Sequence, residues 1–174
     1  SKLKIIRRFI ILFILGMIIQ GNLLSLDPLQ IRLYSNTLQA IAVGYLIAAV
    51  FQLHLSNKFQ YIATALLLIG YWALLTFFGD FTPEGNFAEK VDQFVLGRFR
   101  DGVSYQADGT WQFDPNYRYT WILSSMTFGV TVMLGVFAGK IMKNGADKRK
   151  NSMLLLVWGV ALIVAGGLLS FQTP

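Results

Sequence analysis

Hydrophobic side chains are concentrated in five long stretches of this chain, with polar and charged side chains between them. The stretches cover about 5–22, 34–53, 59–79, 119–141 and 153–171. A helix needs about 20 mainly apolar residues to cross a bilayer, where only internal hydrogen bonds can satisfy the backbone. The pattern therefore predicts an all-α, polytopic transmembrane helical bundle of about five spans that forms a single membrane domain, 1–174.

Charge between the stretches alternates in sign. Ten Lys and Arg residues and one acid, Asp147, lie at or before the start of the first stretch, between the second and third, and between the fourth and fifth or at the end of the fourth. The other connections hold five cations and eight acids. Because short Lys/Arg-rich loops stay in the cytoplasm, we expect an integral protein of a bacterial inner (plasma) membrane, with a cytoplasmic N-terminus and loop 80–118 outside. The cations are split among helix ends, which disfavours nucleic-acid binding.

Loop 80–118 is the only long connection, and connections of this length usually carry structure or function. Asn86 followed by Glu89 fits a helix N-cap with a capping box, and Gly97 fits the helix end. The apolar residues of this helix would share one face, and they are Phe87, Val91, Phe94 and Val95. The polar residues Glu89, Asp92 and Gln93 would share the other face. We expect this short amphipathic helix at the membrane surface or at the outer mouth of the bundle. Asp108-Gly109 predicts a small hairpin after it.

Polar residues within the spans lie in the predicted outward halves, and they are Asn22, Asn36, Thr37, Gln39, Thr76, Ser124, Ser125 and Thr127. One interpretation is a cavity open toward the outside. The other is helix-end polarity with hydrogen bonds between helices. The aromatic residues between 111 and 121 likewise fit either an interfacial belt or a platform that stacks on sugars.

Complete catalytic signatures are missing from these residues. His54 is the single histidine, and it lies at the predicted cytoplasmic end of the second span. A lone histidine there is more typical of a solvated helix end than of a catalyst. No His, Asp or Glu cluster has metal-ligand spacing, so we expect no metal, and neither a phosphate-binding loop nor a nucleophile elbow occurs. The odd span count, the start at Ser1 and the end just after an apolar helix predict a fragment of a longer protein.

Several blocks of the chain resemble the heparan-α-glucosaminide N-acetyltransferase-like family of polytopic membrane acyltransferases. These blocks are the basic entry helix from Lys4, the segment Ile31-Arg-Leu-Tyr-Ser-Asn-Thr-Leu-Gln, the segment Val91-Asp-Gln-Phe-Val-Leu-Gly, Phe113-Asp-Pro and Leu134-Gly-Val-Phe-Ala-Gly-Lys. The chain departs from the family pattern where Ala40 replaces an arginine and 34–37 replace a Pro-Gly stretch. The resemblance places the chain in the centre of such a protein, without the N-terminal block that holds the family's catalytic histidine.

The resemblance implies transfer of an acetyl (acyl) group from cytoplasmic acetyl-CoA, the co-substrate, to a sugar amine or hydroxyl on the outer side. It implies substrate-binding roles for Arg32, Gln39, Asp92 and Asp114. Arg32 also fits an interfacial cation, and Asp114, before Pro115, also fits a turn residue. No residue of the chain is assigned as the catalytic base, and none is assigned to the cofactor.

The expected partners are the lipid bilayer, a saccharide acceptor and further helices of the same protein, with a homo-oligomer left open. The alternative function is a non-catalytic membrane transporter or assembly subunit. A transporter predicts helix breaks and paired ionisable residues at mid-membrane, which the sequence does not show. A third interpretation is an anchor for loop 80–118.

Overall fold

A computed structural model describes residues 2–19, 23–24, 29, 31–82, 85–143 and 147–170. Within these residues, six α-helices and one hairpin follow in chain order: α1 (Lys2–Ile19), α2 (Thr37–His54), α3 (Asn57–Phe78), α4 (Phe87–Leu96), β1 (Val103–Tyr105), β2 (Trp111–Phe113), α5 (Ser124–Lys143) and α6 (Lys148–Ser170). Cα packing divides the chain into two compact units, residues 1–131 and 132–174.

Four of the described helices are long and apolar enough to cross a membrane: α2, α3, α5 and α6. They correspond to four of the five predicted spans and support a membrane protein. Helix α1 is not among them, since four of its first seven residues are the cations Lys2, Lys4, Arg7 and Arg8. Residues 20–22 of the predicted first span lie outside the described residues. A fifth span therefore stays a prediction.

Helices α2 and α5 touch through their backbones. A Cβ atom added to Gly44 would lie 2.8 Å from the carbonyl carbon of Phe128, and one added to Gly129 would lie 3.1 Å from the side chain of Ile47. Ala40 and Ala48, one turn to either side of Gly44, are also buried. Small residues at four-residue intervals let two helices approach this closely in a membrane. The predicted small-residue face of the second span is a packing surface.

Helix α4 packs against the rest of the chain through part of its polar face. The predicted N-cap and helix end are present, because the Asn86 side chain accepts a hydrogen bond from Ala88 N–H and Gly97 adopts a positive φ of 51°. Glu89, the predicted capping-box partner, instead accepts from Gln93 and Arg100. Asp92, however, is fully buried, whereas Phe94 is exposed. The polar face of α4 is therefore packed on the chain at Asp92, because this carboxylate accepts backbone hydrogen bonds that an apolar side chain cannot accept.

The predicted hairpin is present. Strands β1 and β2 pair antiparallel, with Val103 opposite Phe113, and Gly109 turns the chain with a φ of 82°. The segment before α2 joins this region, since Leu33 N–H donates to Phe99 O at 2.9 Å. Tyr34 and Trp121 form a small buried core with Ala40 beneath them, and their rings stack at 6.0 Å. The connection between α3 and α5 is thus packed against the helix ends rather than free.

The second unit, 132–174, contains the end of α5 and all of α6. Almost none of the apolar window of α6 is buried, and its exposed side chains include Leu156, Trp158 and Ile163. A helix that is hydrophobic all round requires an apolar environment. In a membrane these side chains face lipid or other helices.

Candidate functional site

Arg32 ties the segment before α2 to the hairpin. Its Nη1 donates to the Leu29 carbonyl oxygen and its Nη2 to that of Val103, both at 2.9 Å. The guanidinium also lies 5.6 Å from the centre of the Tyr105 ring. Both terminal nitrogens of Arg32 therefore donate hydrogen bonds to backbone carbonyl groups, and the side chain links the segment before α2 to the first residue of β1.

Gln39 is fully buried in the first turn of α2. Its Oε1 accepts from Ser35 N–H at 2.9 Å, and its Nε2 donates to the Leu33 carbonyl oxygen at 2.8 Å. Gly16 of α1 leaves room for it, because a Cβ at Gly16 would lie 2.6 Å from Gln39 Cγ. Gln39 closes the turn that leads into α2.

Asp92 holds the start of α5. Its Oδ2 accepts from Trp121 N–H at 2.6 Å, and its Oδ1 accepts from Ile122 N–H at 3.0 Å. The first N–H groups of a helix have no partner within the helix, so a carboxylate from α4 satisfies a need that α5 cannot meet itself. Burial raises the pKa of Asp92, and these two hydrogen bonds oppose that rise.

Asp114 begins a turn after β2. Its Oδ1 accepts from Asn116 N–H at 2.8 Å, and its own N–H donates to the Gly102 carbonyl oxygen at 2.8 Å. This geometry matches the turn interpretation of Asp114. Within the described part of the chain, no hydrogen bond joins any two of the four predicted binding residues.

A charged cluster that sequence reasoning did not single out is centred on Arg100, whose side chain is 0% exposed. Its Nη2 lies 2.5 Å from Glu89 Oε2, and its guanidinium lies 4.8 Å from the centre of the Tyr117 ring. Among the described residues, Arg100 Nε and Nη1 are buried without a hydrogen-bond partner. We call Glu89, Arg100, Asp101, Tyr117 and Trp121 the Arg100 cluster.

Tyr117 links the members of this cluster. Its hydroxyl donates to Asp101 Oδ2 at 2.7 Å and accepts from Trp121 Nε1 at 3.1 Å. Burial raises the pKa of Tyr117, and the neighbouring Asp101 raises it further. Tyr117 is therefore a neutral hydrogen-bond donor at physiological pH.

A pocket of about 220 Å³ opens beside the cluster. Its lining combines aromatic surface, one carboxylate, one guanidinium, an amide and hydroxyl groups, and the residues are Phe81, Asn86, Glu89, Tyr117, Arg118 and Thr120. Pockets for drug-sized ligands measure roughly 300–1,000 Å³, so this one suits a smaller polar group. Of the six residues, the sequence predicts Asn86 and Glu89 as capping residues and places Tyr117 in the aromatic group between 111 and 121, and it predicts none of the six as a binding residue.

Polar side chains of the spans mostly bond to the chain itself. Asn36 Oδ1 accepts from Leu38 N–H, Thr76 Oγ1 donates to the Trp72 carbonyl oxygen, and Thr127 Oγ1 donates to that of Ser124. Ser125 pairs with the Tyr34 hydroxyl. These bonds favour helix-end polarity over a wide cavity, and Asn22 lies outside the described residues.

Candidate catalytic and metal-binding groups are sparse in the described ranges. His54 is exposed in the last turn of α2, at the end of the helix away from the hairpin. No three His, Asp or Glu residues among those described lie close enough together to hold a metal ion. Comparisons of the chain with protein-family models, curated proteins and solved structures find no match.

Proposed function

We propose that this chain is part of an integral membrane acyltransferase that moves an acetyl (acyl) group from cytoplasmic acetyl-CoA to a sugar amine or hydroxyl on the outer side. The observation that carries the proposal is the polar pocket beside the Arg100 cluster. The family resemblance of the segments around Arg32, Asp92 and Asp114 also supports it, although these three residues bond to the backbone of Val103, Trp121 and Gly102 and are not among the described residues that line the pocket.

The pocket has the chemistry of a sugar site. A sugar ring presents hydroxyl groups at its edge and apolar C–H groups on its faces, and the lining offers both kinds of contact. Glu89 accepts hydrogen bonds, Asn86 and Thr120 both donate and accept, and the Phe81 and Tyr117 rings provide apolar surface. Glu89 lines the pocket and retains 14% side-chain exposure, although Arg100 pairs with its Oε2 and Gln93 Nε2 donates to its Oε1 at 2.9 Å.

Arg100 acts in this proposal as a positioning residue. An arginine buried between an aromatic ring and a carboxylate loses little freedom when a ligand arrives, and its charge keeps Glu89 in one orientation. Tyr117 is fixed in the same way by Asp101 and Trp121. A preorganised wall of this kind costs little reorganisation when the acceptor binds.

Transfer breaks the thioester C–S bond of acetyl-CoA and forms a C–N or C–O bond to the sugar. The acceptor must lose a proton to a base, and the departing thiolate of CoA must gain one. Glu89 is already paired with Arg100, so we assign it to binding rather than to proton transfer. The base comes from outside this chain, as the family resemblance implies.

An acetylation assay tests this function. Membranes that contain the full-length protein receive radiolabelled acetyl-CoA and a panel of amino sugars and glycans, and labelled product is counted. We expect turnover with at least one acceptor. For Glu89→Gln we expect the acceptor KM to rise by about tenfold, with the acetyl-CoA KM unchanged, because one charged hydrogen bond to the acceptor is weakened.

Lys90→Gln is the matched control, since Lys90 is the exposed neighbour of Glu89 on α4 and also loses one charge. It should leave both KM values unchanged. Absence of turnover with every acceptor, from protein that still unfolds cooperatively on heating, would reject the acyltransferase function. An acceptor KM that Glu89→Gln leaves unaltered would reject the pocket as its site.

A non-catalytic assembly subunit is the second candidate, and the uncovered surface of α6 favours it. A helix with so little buried surface is available to pack against helices of another subunit. Under this function the purified protein has no acetyl transfer activity with any acceptor. The same assay therefore separates the two candidates.

A further inference from the structure

Helix α4 is held to the chain by one face. Ala88 and Asp92 are fully buried on this face, and Asp92 accepts the two hydrogen bonds from the start of α5. Glu89, next to Ala88, pairs with Arg100. These contacts fix the rotation of α4 about its axis, so the direction of the opposite face is determined.

The apolar face of α4 is uncovered at its C-terminal end, whereas Phe87 and Val91 nearer its start are partly buried. Phe94 is 90% exposed and Val95 is 60% exposed. Phe87 and Val91 precede them at helical spacing, so the four side chains form one stripe along α4. A contiguous apolar stripe open to water is unusual unless it meets a partner or a membrane.

This stripe is continuous with the membrane-facing surface of α3. The Phe87 ring lies 5.4 Å from the ring of Phe78, in the last turn of α3. Phe78 and its neighbour Phe77 are both strongly exposed, as expected at the lipid-facing end of a span. The apolar surfaces of α3 and α4 therefore meet at this pair of rings.

Cations flank the stripe. Lys90 lies one turn before Phe94 on α4, Arg98 follows just after the helix ends, and both are exposed. Their aliphatic stems can lie along an apolar surface while their charges reach phosphate groups. Apolar side chains flanked by cations are typical of helices that lie in the interface of a membrane with anionic lipids.

We propose that α4 is an interfacial helix, with Phe94 and Val95 inserted below the lipid headgroups and Lys90 and Arg98 at the phosphates. The bilayer leaflet at the end of α3 is the occupant of the stripe. This anchors the wall of the pocket to the membrane surface, since Asn86 caps α4 and Glu89 lies within it. The interfacial position of α4 follows from the exposure of Phe94 and Val95 and from the contact between Phe87 and Phe78, and it does not require acyltransferase activity.

Spin labelling tests the position of α4 directly, because these 174 residues contain no cysteine and any cysteine elsewhere in the full-length protein is replaced by serine. A nitroxide is attached to Phe94→Cys, and the full-length protein is reconstituted in vesicles of phosphatidylcholine and phosphatidylglycerol. Collision rates are measured with oxygen, which concentrates in lipid, and with a water-soluble nickel chelate. Leu156→Cys on exposed α6 serves as the lipid reference, and Asp108→Cys at the hairpin turn serves as the water reference.

We expect the oxygen-to-nickel ratio at position 94 to exceed that at position 108 by at least about threefold and to approach that at position 156. Val95→Cys gives an independent reading if the label at 94 disturbs folding. A ratio at both positions equal to that at 108 would show that the stripe faces water and would overturn the proposal. Low collision rates with both reagents would also overturn it, because they would show that protein, such as a second copy of the chain, covers α4.

Discussion

Arg100 shows how a single residue can organise a connecting segment. Its charge is neutralised by Glu89, its flat face lies against Tyr117, and its backbone pairs with Tyr34. A buried ion pair is costly to break from one side, since the remaining charge is left without its partner. Nothing in the sequence distinguishes Arg100 from the exposed Arg98 two residues earlier, because burial of a loop residue depends on contacts with distant elements.

Replacement of Arg100 tests this role. For Arg100→Met we expect the free energy of unfolding to fall by about 2–4 kcal/mol, because Glu89 loses its counter-charge. Arg98→Met, which removes an exposed charge resting on Phe99, should change it by less than about 0.5 kcal/mol. Thermal unfolding in detergent, followed by intrinsic fluorescence, measures both variants. The Arg100→Met/Glu89→Gln double variant should recover part of the loss, and a purely additive loss would contradict the pairing.

Asp92 provides a pH test of the same region. Burial raises its pKa above the ordinary 3.8, so the folded state binds this proton more tightly than the unfolded state does. Stability from this group is then greatest at low pH and declines as the pH rises from about 3.8 through the raised pKa.

The comparison of wild type with Asp92→Asn between pH 3.5 and pH 7 isolates this contribution, because all other carboxyl groups are shared. We expect the stability of wild type relative to Asp92→Asn to decrease as the pH rises. The thermal midpoints of the two proteins, measured across this range at about half-unit steps, provide the comparison. A relative stability that increases with pH would mean that the hydrogen bonds from Trp121 and Ile122 outweigh burial.

Among the elements, the long helices are the most predictable from sequence. The predicted spans at 34–53 and 59–79 correspond to Thr37–His54 and Asn57–Phe78, because uninterrupted apolar runs leave a membrane helix as the one structure that satisfies the backbone. The hairpin followed from Asp108-Gly109 and local turn chemistry. The orientation of α4 did not, since its buried Asp92 depends on unpaired N–H groups 29 residues later in the chain.

The close approach of α2 and α5 at Gly44 can be tested by substitution. For Gly44→Ala we expect a loss of about 1–3 kcal/mol of unfolding free energy, because the added methyl group meets the backbone of Phe128. Gly135→Ala on α5 is the control, as its added Cβ meets no described atom within 4 Å. It should be neutral or slightly stabilising, since alanine favours helix over glycine. Equal effects in thermal unfolding would contradict the close approach at Gly44.

For the molecule as a whole, the proposed function requires the connection between α3 and α5 to lie on the outer side of the membrane. The pocket, the Arg100 cluster and the interfacial helix α4 all lie in this connection, which is packed on the starts of α2 and α5. The distribution of Lys and Arg predicts that it is outside the cell. Hydropathy locates the spans but does not say which end of each span faces the cytoplasm. The orientation is therefore predicted from the Lys and Arg residues alone.

Cysteine labelling in intact cells tests this sidedness most directly. Asp108→Cys marks the hairpin turn, and Lys58→Cys marks the junction of α2 and α3, each in a protein without other cysteines. We predict that a membrane-impermeant maleimide labels position 108 in intact cells and position 58 only after the membrane is permeabilised. Labelling of position 58 but not 108 in intact cells would place the pocket in the cytoplasm and contradict the account.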